Sequence, residues 1–218
     1  MVVDLKTNTI FNQINTGEKP VAIFYDAFDG KIITCNAAGK NISVIDPVTE
    51  KLIANIGVGG VPETAISDNA GRLFVSVKNN NEIVVVNLKK YFVEKHWSAL
   101  PANGISGLAY DSKTKRLFAA CDKPQFILIF NAANGELVKQ LPIPGGCKTI
   151  TFDAEKKMLL LTNAGGKCTA IKQKSNNIYR IKFTVEPPIN ADDYFVDEVT
   201  HKIILSPLSP ALTVSADK

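Results

Sequence analysis

Histidine and methionine are nearly missing from this chain, with two of each, and tryptophan occurs once. Haem ligation and histidine-based metal centres draw on those residues, so this composition argues against both. Long apolar runs are missing as well. Runs such as Ile83 to Val86 and Phe126 to Phe130 fall far short of the ~20 residues that a membrane-spanning helix needs. Met1 is followed directly by VVDLKTNTIF, which has no basic leader, sustained apolar segment or small-residue cleavage site, so no signal peptide is legible. Neither charge sign dominates, since 25 basic residues face 21 acidic ones for a net charge of +4. The four cysteines, Cys35, Cys121, Cys147 and Cys168, contain no C-x-x-C pair, and His96 and His201 are remote from them. A zinc signature is therefore lacking, and the thiols read as small buried hydrophobes. Cys121 and Cys147 fall near the same end of consecutive repeats, which makes them the one pair worth testing as a disulfide.

What the chain does have is an internal repeat. An aspartate that follows one apolar run and precedes a basic residue and a second apolar run recurs at Asp26, Asp68, Asp111, Asp153 and Asp197, at spacings of 42, 43, 42 and 44 residues. A period of this length made of short strands is the signature of a propeller blade. Each period opens with a Gly- or Pro-rich lead-in, such as Gly59-Gly60-Val61-Pro62, and runs into a first strand ending at the anchor aspartate. A turn, a second strand, a third (ISVID, IVVVN, ILIF) and a more polar outer strand (KLIANI, ELVKQL) complete it, giving four antiparallel strands. The inner strands are nearly continuous Ile, Leu, Val and Phe, as expected for sheets stacked so that both faces are covered. The expected class is an all-β propeller. Its expected segments are a half blade over 1–16, blades over 17–59, 60–102, 103–144 and 145–189, and a partial blade over 190–218.

The stretch ISVIDPVTEKLIANIGVGGVPETAISDNAGRLFVSVKN resembles the repeat of the bacterial YVTN-type propellers, the group that includes the YncE-like proteins. In that repeat a strand ending in Val-Ile-Asp precedes a Thr-x-Lys turn, an outer strand, a Gly-Pro lead-in and a strand pair around Asp-x-x-Gly-(Lys/Arg)-Leu-(Tyr/Phe)-Val. The resemblance implies an exported, seven-bladed protein in the periplasm or secreted, with about two blades and a leader preceding Met1. The alternative is a closed five-bladed ring, in which Val2 to Ile14 completes the blade begun by Tyr194 to Ser206.

Chemistry is sparse. Five evenly spaced carboxylates invite a calcium reading, but DAFDG, DNAGR, DSKTK, DAEKK and DEVTH lack the Asp/Asn spacing and the closing bidentate Glu of a calcium loop. The expected role of the anchors is turn chemistry, the side chain accepting hydrogen bonds from backbone just ahead. No metal site or cofactor is expected. Asn103 to Gly107 superficially resembles a nucleophile elbow, but it lacks the G-x-S-x-G spacing and precedes a strand.

Two binding candidates remain. Five residues before each anchor stand Val21, Glu63, Ser106, Lys148 and Asp192, placed to surround one mouth of a propeller channel and hold a small ligand or a partner's peptide. The second candidate is a basic strip of Lys167, Lys172, Lys174, Arg180 and Lys182, interleaved with Tyr179 and Phe183 and free of acidic residues. It suits single-stranded nucleic acid or an anionic surface, although lysines on outer strands also serve to block edge pairing. The leading expectation is a non-enzymatic binding or scaffold propeller of the bacterial envelope. Its alternatives are a sugar-lactone or small-ester hydrolase, and nucleic-acid binding through the basic strip.

Overall fold

The computed structural model describes residues 1–163, 167–186, 191–196, 200, 202–207 and 212–215. Side chains are described throughout these ranges except at 122–123, 191–196, 203, 205–207 and 212–215. The chain divides into two compact units, Met1–Ser98 and Ala99–Lys218.

Unit 1 begins with a hairpin of β1 (Val2–Asp4) and β2 (Thr9–Asn12). The first full blade follows as β3 (Pro20–Asp26), β4 (Lys31–Asn36), β5 (Asn41–Asp46) and β6 (Lys51–Gly57). The second is β7 (Pro62–Ser67), β8 (Arg72–Val77), β9 (Glu82–Asn87) and β10 (Phe92–Ser98), with a 3-10 turn at Lys78–Asn80. In unit 2 the third blade is β11 (Asn103–Asp111), β12 (Arg116–Lys123), β13 (Phe126–Asn131) and β14 (Leu137–Pro142). The fourth is β15 (Thr149–Asp153), β16 (Met158–Thr162), β17 (Cys168–Ser175) and β18 (Ile178–Val185). A three-stranded sheet of β19 (Ala191–Val196), β20 (Lys202–Pro207) and β21 (Leu212–Ser215) ends the chain. Within each sheet, strands consecutive in the chain pair antiparallel.

Hydrophobic pattern explains the stacking. The middle strands β8, β9, β13 and β16 bury nearly every residue, on both faces, which only a sheet covered on each side can do. In unit 1, β3 and β4 pack on β7, and Ile33, Val44, Leu73, Val75, Val84 and Val86 share one core between the first two blades. In unit 2, Phe118, Ile127, Ile150, Leu159, Ile171 and Tyr179 play that part between the third and fourth. Phe118 stacks on Phe152 at 5.5 Å and meets Tyr179 edge-on at 5.7 Å, both favoured aromatic geometries.

A second repeated cap closes the turn between third and fourth strands. Asp4, Asp46, Asn87 and Asn131 each accept backbone N–H groups through Oδ1. Four residues on, Asn8, Glu50, Tyr91 and Gly135 adopt left-handed backbone, with φ of 55°, 55°, 56° and 82°. Backbone N–H groups draw the carboxyls of Asp4 and Asp46 below the usual carboxylate range.

The cysteines are free and buried. Cys121 and Cys147 each donate a thiol hydrogen to a carbonyl, of Ala119 at 3.6 Å and of Thr149 at 3.1 Å, so the pair is not bonded in this structure. Burial pushes the Cys35 thiol up to about 12 and Cys168 up to about 11, which keeps both protonated and poor nucleophiles at neutral pH.

Candidate functional site

The positions five residues before the anchors share a backbone feature that the sequence did not reveal. In the first blade the register steps from Pro20↔Asn36 to Ala22↔Cys35, leaving Val21 as an extra residue. In the second, Glu63 and Thr64 fall between Pro62↔Val77 and Ala65↔Val75. Ser106 is the extra residue between Ile105↔Cys121 and Gly107↔Ala120, and Asp192 is the extra residue between Ala191↔Pro207 and Asp193↔Ser206. Four first strands therefore carry a β-bulge at the equivalent place, and bulges re-aim side chains and recur beside functional sites. The fourth blade differs: Lys148 stands just ahead of β15, its N–H donating to the Thr162 carbonyl at 2.8 Å.

The side chains at these places fare differently. Ser106 Oγ donates to the carbonyls of Cys147 at 2.5 Å and Ala120 at 3.3 Å, so it fastens the third blade to the lead-in of the fourth. Glu63 pairs with Lys78 at 3.7 Å while staying substantially exposed, and Lys148 is exposed. Val21 lines a mostly apolar groove of about 400 Å³ with Ile14, Thr16, Pro20, Ala22 and Ile23. The Asp192 side chain lies outside the described residues. Ser106 sits inside strand β11, which settles the elbow-like pentapeptide as sheet backbone.

The basic strip spans β17 and β18. Lys172 lies directly opposite Arg180, and its Nζ donates to the Lys156 carbonyl. Lys167 pairs with Glu186, and Lys182 sits over the Phe183 ring at 5.8 Å. Tyr179 is buried, its hydroxyl donating to the Asn176 carbonyl at 2.8 Å, so it offers no face for a base to stack on. Lys174 instead joins Lys113 and Lys157 around a cavity of about 110 Å³ between the third and fourth blades. Its floor is the buried Gln173, whose Nε2 donates to Asp111 Oδ2 at 3.1 Å.

His96 Nδ1 lies 3.1 Å from Glu82 Oε2 on exposed surface, while His201 and Asp197 lie outside the described residues. Among the described residues, no three His, Cys, Asp or Glu side chains come together as metal donors, and no helix is long and apolar enough to cross a membrane.

Comparison with known proteins bears on the fold. A family model described as SdiA-regulated, a β-propeller-type domain, matches residues 80–163, under half of the 218-residue chain. No curated protein matches. Among solved structures, hydrazine synthase of Kuenenia stuttgartiensis superposes with a TM-score of 0.78 at 15% identity, over 95% of this chain and 66% of that one. The chain thus spans just under two thirds of the matched protein. That likeness, with the four-stranded antiparallel sheets, establishes an all-β propeller fold.

Proposed function

We propose that this chain is a non-enzymatic binding propeller of the YVTN (YncE-like) kind, working in the bacterial periplasm or outside the cell. Its contacts to a small ligand or a partner's peptide come from the bulge positions of the first strands. The carrying observation is that repeated bulge, which marks equivalent side chains for display in blade after blade. In the first unit the half-buried Glu63 offers a charge at its bulge and the groove beside Val21 an apolar surface; in the second unit Lys148, at the equivalent place without a bulge, is exposed. A few polar groups beside apolar lining is the usual make-up of a ligand site. Ser106 acts as a fastener and not as a contact.

A thermal-shift screen of short peptides, sugars and sugar lactones against the parent chain and a Glu63→Ala, Lys148→Ala double variant tests this reading. Stabilisation by some peptide or sugar, lost in the double variant, is the expected result. Every shift persisting unchanged in the double variant would contradict it. Lactone turnover that disappears in the double variant would replace it with the hydrolase reading. Nucleic-acid binding is the weaker alternative, because Tyr179 is buried and three of the five strip cations already have partners.

A further inference from the structure

The anchor aspartates were expected to act alike, and three do. Asp68 Oδ1 accepts the N–H groups of Ala70 at 2.8 Å and Arg72 at 2.9 Å, while its Oδ2 takes the Arg72 guanidinium at 2.9 Å. Asp111 accepts the Lys113 N–H at 3.0 Å, the Thr114 hydroxyl and the Gln173 amide. Asp153 accepts the Lys156 N–H at 2.8 Å. Asp26 is the exception: it is 0% exposed and neither carboxylate oxygen has a hydrogen-bond donor.

The reason lies three residues on. Where the third blade places Thr114, which donates to its anchor, the first blade places Asp29, a second acceptor. Asp29 Oδ1 is likewise buried without a donor, and Oδ2 accepts the Tyr91 hydroxyl at 3.2 Å. The nearest cation on this face, Lys31, is engaged with Asp46 at 3.3 Å, and Lys89 sits over the Phe28 ring at 5.3 Å. Two carboxyls thus meet with three donorless oxygens between them. A proton shared by the pair would satisfy two of those oxygens and leave one buried and bare, at the full desolvation cost of a polar atom. A hard divalent cation can take all three.

We propose that Asp26 and Asp29, with the Tyr91 hydroxyl at the rim, form a calcium-type cation site in the first blade, separate from the bulge positions. Asp26 supplies both oxygens, Asp29 supplies one, and water completes the shell on the partly exposed Asp29 side. Oxygen-only donors and an irregular layout suit calcium better than magnesium, which demands near-octahedral geometry. Two carboxylates are a thin charge set, so the expected affinity is at the weak end of protein calcium sites, a Kd of roughly 10⁻⁴–10⁻³ M. Left-handed backbone at Tyr91, where the equivalent turns use Asn8, Glu50 and Gly135, accompanies the reach of its hydroxyl to Asp29. Burial raises the Asp29 pKa above the ordinary carboxylate range, and the Asp26 side chain beside it raises it further.

The test titrates the chelator-treated full chain with CaCl₂ by calorimetry, and with Tb³⁺ while exciting the tyrosines. The parent chain is expected to give calcium heat and sensitised terbium emission that calcium displaces. Asp29→Thr, which installs the third blade's donor at a turn position, is expected to weaken binding at least tenfold. Asp153→Asn, at an anchor with a donor of its own, is expected to leave it unchanged. No calcium heat up to about 10 mM, well above the weak limit of protein sites, would overturn the proposal, as would equal binding by Asp29→Thr.

Discussion

Two turns of equal length, Asp26 to Lys31 in the first blade and Asp111 to Arg116 in the third, solve the same problem with opposite chemistry. In the third, the anchor carboxylate collects a backbone N–H, a hydroxyl and the buried Gln173 amide, so its burial is compensated. In the first, only the Asp26 backbone carbonyl takes part in the turn, accepting the Gly30 N–H at 3.1 Å. Gly30 sits at φ 71°, where the third blade tolerates Lys115 at φ 54°. The backbone path is shared, and the side-chain satisfaction is not. An anchor residue that is constant along a repeat can therefore serve as a cap in one blade and as a buried carboxyl without a donor in another. The neighbour three positions on decides which.

Breaking the compensated turn should cost most. Asp111→Ala removes three donors' partner and leaves Gln173 buried beside a void, with an expected loss of about 3 kcal/mol, measured by urea unfolding of the full chain. Converting the third turn toward the first, Thr114→Asp, should cost about 2 kcal/mol at neutral pH by setting two carboxyls together.

The reverse exchange, Asp29→Thr, should gain about 1 kcal/mol in calcium-free buffer at neutral pH. The gain has a pH signature. Because the Asp29 pKa is raised on folding, the folded state holds the proton more tightly than the unfolded chain. The destabilising effect of Asp29 is absent below the unfolded carboxylate pKa, grows as pH rises through the folded value, and is constant above it. The advantage of Asp29→Thr should accordingly vanish in acid, and a gain that persists undiminished there would break the comparison. Least affected should be Lys78→Ala, which removes an exposed pair with Glu63 and should shift stability by less than about 0.5 kcal/mol.

The repeat made the blades legible, because double-sided burial writes itself into the sequence as unbroken apolar strands such as IVVV and FILIF, and these are β9 and β13. The likeness to YVTN propellers pointed to the propeller fold, and the comparisons carry that fold without the finer family. The bulges were hidden, since an extra residue in one strand shows only in its register with the next. Ser106 looked like a ligand contact because its type and position were right; its true partner, the Cys147 carbonyl, comes from the following blade. Tyr179 looked like part of a charged face because its neighbours in sequence are charged, while strand alternation turns it inward against Phe118. The Asp26 turn had a visible signal, the second acid of DAFDG where DSKTK has threonine. Tyr91, 62 residues from Asp29, had none.

The most direct test of this contrast is a carboxyl-detected NMR titration of the metal-free chain, repeated with calcium. Asp29 should titrate above the ordinary carboxylate range and move down when calcium is added. An Asp29 that titrates like an exposed carboxylate, with or without calcium, would contradict the account.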